Sequence, residues 1–332
     1  MSERVLAREV AQAGGPFSTI RFARLAFRLR ALRRGDLPPR VGPVLRGAFG
    51  AALRAVSCPA GTAETDCRDC ATREGCAYLY LFETPLPSNA TQLRAADHVP
   101  HPFVLRPWSS DRKAVAVGED RELELVLVGR ACDLFPHVLV AVGRMASGGL
   151  GSQRVPFRLV GIEQLDQHDD RARRPIFDEQ RQIDEIVQET VRSTAVDDTL
   201  ELELLTPAQI VSDGQVLDHF ELRPFVRALL RRMSSLSAFH CGASLDVDYR
   251  GLIDRAGTVR VSKAELRSDS FGRYSARQKR RVPHRGLLGR VTLEGKHLDE
   301  LAPLLALGEV LHVGKGTAMG MGRYRLDTGC QI

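Results

Sequence analysis

The 332-residue sequence contains no stretch of 18 or more apolar residues, so no membrane-spanning helix is expected. Residues Met1–Gly15 are charged and lack the apolar core of a secretory signal, which predicts a cytoplasmic protein. A Walker loop is absent, because Lys315 lies between two glycines instead of before a Ser or Thr that opens a helix. A dinucleotide fingerprint is excluded too: only ten residues follow Gly322, too few for the required helix and distant acid. No clustered acidic pair stands out, which disfavours a metal-dependent nuclease.

Against these absences stands a glycine-studded turn near the end of the sequence. Gly314, Gly316, Gly320 and Gly322 fall within nine residues, with Lys315 and Arg323 among them. Glycine allows φ > 0 and close approach of another backbone, so a bare loop flanked by cations and held between strands is expected to suit sugar-phosphate. The formal net charge is +6, unevenly spread. Arg250–Arg290 holds twelve Lys and Arg against three acids and carries +9, leaving −3 for the rest. Such a concentration is suited to a polyanion. If Arg273, Arg277, Lys279, Arg280, Arg281 and Arg285 lie on a hairpin, alternate residues project to one side and follow a phosphate backbone.

Four of the seven cysteines, Cys58, Cys67, Cys70 and Cys76, lie within nineteen residues. In a cytoplasmic chain this favours a metal over disulfides. A structural zinc site of four thiolates is the leading reading; an iron–sulfur cluster and reduced, unliganded thiols are the alternatives.

Hydrophobic periodicity predicts β-α-β-β-α-β in the first half. Strands are expected at 20–32, 103–105, 123–128 and 155–162, and helices at 44–56 and 134–145. The second half repeats the order, with strands at 200–205, 259–266 and 287–293, helices at 224–239 and 298–307, and strands at 310–313 and 324–326 flanking the glycine loop. The fold expected is α+β: two tandem ferredoxin-like (RRM-like) domains, 1–165 with a cysteine insert at 57–80, and 199–332 with the glycine loop at 314–322. The intervening 166–198 reads as a charged linker with an exposed helix.

With these features in place, the sequence resembles CRISPR-associated repeat-RNA-processing endoribonucleases of the RAMP superfamily. The residues carrying the likeness are Gly314-Lys-Gly-Thr-Ala-Met-Gly-Met-Gly-Arg-Tyr, Arg273-Tyr-Ser-Ala-Arg-Gln-Lys-Arg-Arg, Gly286-Leu-Leu-Gly-Arg-Val-Thr-Leu-Glu-Gly and Gly42-Pro-Val-Leu-Arg-Gly-Ala-Phe-Gly. The resemblance implies binding of CRISPR repeat RNA and its cleavage without metal. The ribose 2′-OH attacks the adjacent phosphate and leaves a cyclic phosphate and a free 5′-OH, yielding guide RNA. It also implies subunits of an interference complex as partners. A non-catalytic RAMP subunit that holds guide RNA is the alternative.

Cleavage of this kind needs a base, an acid and cations. The resemblance implies a His on or near the first helix; Pro43–Val56 has none and offers Arg46 and Arg54 instead. His240, at the end of the long second-half helix, is the first candidate for proton transfer. Tyr274 and Lys279 follow as hydrogen-bond donor and charge stabiliser. His284 is assigned to phosphate. His312 faces core or RNA, His98 and His101 belong to loop structure, and His168, His219 and His297 to the surface; His137, on an apolar helix, is packed or exposed.

Overall fold

The computed structural model describes residues 8–9, 15–58, 67, 70, 73–84, 99–108, 113–167, 169–178, 183–192, 196–275 and 280–327, with backbone alone at 8–9, 273–275 and 280–281. The chain divides into two compact units. One is built on Arg21–Glu189 and takes in Phe239–Cys241; the other is built on Thr190–Ala238 and Gly242–Ile332.

In the first unit β1 (Arg21–Ala31), α1 (Gly42–Ser57), β2 (Phe103–Arg106), β3 (Asp120–Val128), α2 (Phe135–Gly148) and β4 (Phe157–Leu165) follow in the expected order. The strands form an antiparallel sheet in the order β2-β3-β1-β4. This is ferredoxin-like topology: each β-α-β crossover skips a position, so both helices pack on one face. Pro43 pre-sets the first turn of α1, and Leu45, Phe49 and Leu53 at helical spacing bury its inner face. Val138, Ala141, Val142 and Met145 do the same for α2.

One cluster of charges is buried inside this unit. Arg24 donates from Nε to Glu124 at 2.8 Å and from Nη2 to Asp170 at 2.7 Å. Arg106 donates to the same Glu124 oxygen at 2.8 Å. Burial alone would lower the Arg24 pKa, but Glu124 and Asp170 outweigh it and hold the guanidinium protonated. The cluster is fully engaged and structural.

The stretch 166–198 differs from expectation. Among its described residues there is no helix. Strand β5 (Arg173–Asp178) pairs with β4, and Val187–Thr190 is a short strand. Its mixed charges sit on strand faces, as when Arg173 pairs with Glu122 and Glu163. The boundary between the units falls at Glu189/Thr190.

The second unit comprises β6 (Thr199–Ala208), α3 (Leu222–Leu236), α4 (Tyr249–Thr258), β7 (Arg260–Ser275), β8 (Arg280–Glu294), α5 (Leu298–Leu311) and β9 (Tyr324–Asp327). Its sheet order, β7-β8-β6-β9, reproduces that of the first unit. Helix α4 is an addition to the repeat, capped by the Asp248 side chain, which accepts from Gly251 N at 2.9 Å. The run Val310–Val313, expected as a strand, is instead the end of α5 and its exit. From Leu301 onward every residue of α5 but Pro303 and Glu309 is buried, so that stretch shows no polar face to betray its period. Among the described residues no helix is long and apolar enough to cross a membrane.

Candidate nucleic-acid interface

In the second unit the glycine loop runs from α5 to β9 and is not a strand-to-strand hairpin. It is also not bare. Residues 317–322 are buried, and Lys315 is its exposed side chain. The four glycines have φ between +69° and +86°, and three of them abut other backbone or Met321. A Cβ on Gly314 would lie 2.3 Å from Gln209 O, one on Gly316 2.5 Å from Met321 Sδ, and one on Gly322 1.9 Å from Val313 O. The loop is laced along the end of β6. Lys315 N donates to Gln209 O and Gly322 N to Pro207 O, each at 3.0 Å, and Arg323 N donates to Thr206 Oγ1 at 2.8 Å. Glycine here permits close packing, and Gly320 and Gly322 present no surface to a ligand. Their assignment to RNA binding gives way to a structural one. Gly314 and Gly316 are half-buried, and Arg323 is half-buried beside them.

His312, fully buried with φ +62°, donates from Nδ1 to Met321 O at 3.0 Å and faces the core. Arg232 of α3 donates from Nε to Leu311 O at 3.1 Å, closing the end of α5; burial pulls its pKa down to about 10. His284 is 9% exposed, stacks on Phe271 with ring centroids 5.4 Å apart, and donates from Nδ1 to Gln209 Oε1 at 3.2 Å. It supports the strand that anchors Lys315 and does not stand open to phosphate.

Strands β7 and β8 form a long hairpin that pairs as far as Ser275 with Arg280. The side chains of Arg273, Tyr274, Arg280 and Arg281, and the whole of His98, His168, Arg277 and Lys279, lie outside the described residues. At the base of the hairpin much of the positive charge is neutralised. Arg290 pairs with Glu203 at 3.1 Å, Lys263 with Glu265 at 2.7 Å, Arg255 with Glu300 at 2.6 Å, and Arg260 with Glu294. The sequence segment of +9 is therefore not one uniform field: among the described residues, four of its cations are matched by carboxylates.

In the first unit α1 carries a different cationic face. The Arg46 guanidinium lies 5.3 Å from the Phe82 ring centroid and that of Arg54 5.7 Å from Tyr78. Those two rings stack at 5.5 Å, only 8° from parallel. Gly50, midway between the arginines, admits the Phe82 ring; a Cβ there would come within 2.9 Å of it. Arg46 also donates from Nη2 to His101 Nε2 at 3.1 Å. A guanidinium can only donate, so this contact requires a neutral ring protonated at Nδ1. Arg46 and His101 are both half-buried. Proximity in sequence gave no sign of this pair, since 55 residues separate them. Only the β-α-β crossover, which returns the chain to β2 beneath α1, points to it.

His240 is fully buried. Its Nε2–H donates to Pro100 O at 2.9 Å, and its Nδ1 accepts from the Tyr80 hydroxyl at 2.9 Å. Burial pushes the Tyr80 hydroxyl up and keeps it a donor. With both nitrogens engaged away from solvent, His240 is a structural residue, and its assignment to proton transfer is withdrawn.

Cys58, Cys67, Cys70 and Cys76 line one small cavity together with Arg54, Arg73, Tyr78 and Leu79. Among the described residues no group of three or more His, Cys, Asp or Glu side chains stands in metal-holding geometry.

Residues 20–191 match the family model AF_1859_N, an N-terminal domain. Residues 202–324 match that of the CRISPR-associated endoribonuclease Cas6. No functionally curated protein matches the sequence. Among solved structures, Cas6 of Thermus thermophilus is 15% identical with a TM-score of 0.55, covering 93% of this chain and 99% of its own. A Cas6 product complex is 19% identical with a TM-score of 0.52 and the same two coverages. A partial Cas6–RT–Cas1–Cas2 complex is 10% identical with a TM-score of 0.51, covering 93% of this chain and 46% of that one. At these identities the likeness concerns the fold.

Proposed function

Because this chain belongs to the Cas6 family of CRISPR-associated repeat-RNA-processing endoribonucleases, we propose that it cuts its repeat RNA without metal, by attack of a ribose 2′-OH on the adjacent phosphate. The nucleophile is part of the substrate, so the protein need only move protons and stabilise charge. The observation that carries the reading is the pairing of Arg46, on the first helix, with His101, just ahead of β2. It brings a neutral imidazole and a fixed cation within 3.1 Å of each other at a half-exposed position.

In this scheme the phosphate displaces His101 as the partner of Arg46. The freed Nε2 lone pair takes the 2′-OH proton while the guanidinium, with Arg54 on the same helix face, stabilises the charged phosphorane. Proton delivery to the departing 5′-oxygen falls to the imidazolium so formed. On the hairpin of the second unit Tyr274 is a hydrogen-bond donor and Lys279 a source of positive charge toward the RNA, and Arg273, Arg277, Arg280, Arg281 and Lys315 hold the strand. The product remains as guide RNA, with subunits of an interference complex as its further partners and the cytoplasm as its compartment.

The test is incubation of end-labelled repeat RNA with the purified protein in EDTA. The expected result is one discrete cut ending in a 2′,3′-cyclic phosphate, abolished by a single 2′-deoxy substitution at the cut. Tight binding without cleavage would overturn the proposal in favour of a non-catalytic RAMP subunit. Cleavage that requires added divalent metal would overturn the mechanism.

A further inference from the structure

The four clustered cysteines are scattered over nineteen residues, yet all four reach one cavity of about 20 Å³, room for little more than one atom. Short turns shape its wall. Arg73 N donates to Cys70 O at 3.2 Å, Cys76 N to Arg73 O at 3.3 Å, and Cys58 N to Arg54 O at 2.9 Å. Two guanidiniums, Arg54 and Arg73, share that lining with the sulfurs. Arg54 Nε is shielded from solvent and has no hydrogen-bond partner among the described residues.

We infer that Cys58, Cys67, Cys70 and Cys76 bind a single zinc ion, with the Arg54 guanidinium beside it. Four thiolates and one divalent cation leave a formal charge of −2, which a cationic neighbour favours. Metal-bound thiolates accept hydrogen bonds from such outer groups, and Arg54 Nε has a donor to give. The thiols reach ligating positions by turning inward about χ1, since they do not yet converge.

The position explains what such an ion would do. Cys58 is the C-terminal cap of α1, and Cys76 leads directly into the turn that carries Tyr78 and Phe82. An ion bound to both ties the end of α1 to the two rings over which Arg46 and Arg54 sit. A zinc staple therefore stands behind the cationic face and meets it through Arg54.

The experiment is metal analysis of the full chain, purified without chelator or an immobilised-metal step and desalted after exposure to zinc. Roughly one zinc per chain is expected, released into a chromogenic chelator when the thiols are titrated with an organomercurial. Cys70→Ser and Cys76→Ser should each cut zinc content by more than half, whereas Cys241→Ser, outside the cavity, should leave it unchanged. Wild-type protein without zinc would overturn the inference even if the variants fail to fold. Iron and sulfide with visible charge-transfer absorbance would overturn it equally. Metal content is read independently of RNA cleavage, so this inference and the proposed reaction fail separately.

Discussion

Replacing Gly322 by Ala separates a loop that displays its backbone from one that packs it. The residue has φ +69°, where a non-glycine residue costs roughly 1–2 kcal/mol. The added Cβ would lie 1.9 Å from Val313 O, so the chain must move by an ångström or more. That movement breaks two hydrogen bonds, Gly322 N to Pro207 O and Val313 N to Gly322 O, both 3.0 Å, each contributing about 1 kcal/mol. The sum is about 3–4 kcal/mol. With an m-value of about 2 kcal/mol/M in urea, the unfolding midpoint of this unit should fall by about 1.5–2 M. Gly272→Ala is the control: the position is exposed, φ is negative, and nothing lies within 4 Å of the added carbon, so its stability should stay within about 0.5 kcal/mol. Circular dichroism followed through urea, with both variants beside the wild type, decides the matter. Wild-type stability for Gly322→Ala combined with lost RNA affinity would refute the packing account and restore the open-loop reading.

Three further outcomes are expected. His101→Ala should slow single-turnover cleavage by roughly 10²- to 10⁴-fold while leaving RNA affinity intact; a reduction below tenfold would remove His101 from the reaction. Reversing charge at Arg280 and Arg281 should weaken repeat-RNA binding and reduce the slope of log K against log salt by about 0.7 for each phosphate no longer neutralised; filter binding across a salt series reads both, and an unchanged slope would place these residues off the RNA path. His240→Ala should cost about 2–4 kcal/mol in denaturant unfolding, because the Tyr80 hydroxyl and Pro100 carbonyl lose their partner in a dry setting; full stability with abolished cleavage would return His240 to catalysis.

Legibility in the sequence followed solvent contrast. Strands β1, β3 and β6 and helices α1, α2 and α3 each have one face in water or distinctive ends, and periodicity located them within a few residues. Helix α4 escaped because only Leu252 and Ala256 are buried, too few for a stripe among so many charges. The end of α5 was misread as a strand for the opposite reason: a helix buried all round offers an apolar run without phase. The strands in 166–198 were hidden because salt bridges, more than apolar alternation, cover their faces. At the site, the placing of the four cysteines around one cavity could be read from spacing. The Arg46–His101 pair could not, because it depends on where a crossover of tens of residues returns. The burial of His240 was equally invisible, since a helix-end position says nothing of what packs over it.

The order of strands in the second unit also bears on how the chain is made. Central strand β6 takes both its neighbours from far downstream, pairing Leu204 with Gly289 on one side and with Tyr324 on the other. About 120 residues must leave the ribosome before the second seam can zip, roughly 6–24 seconds at ordinary elongation rates. Throughout that interval Leu200, Leu202 and Leu204 ride on an unsatisfied edge. A nascent polypeptide of this design needs chaperone cover late in translation, and stalling short of Tyr324 should yield aggregates in place of a half-built domain.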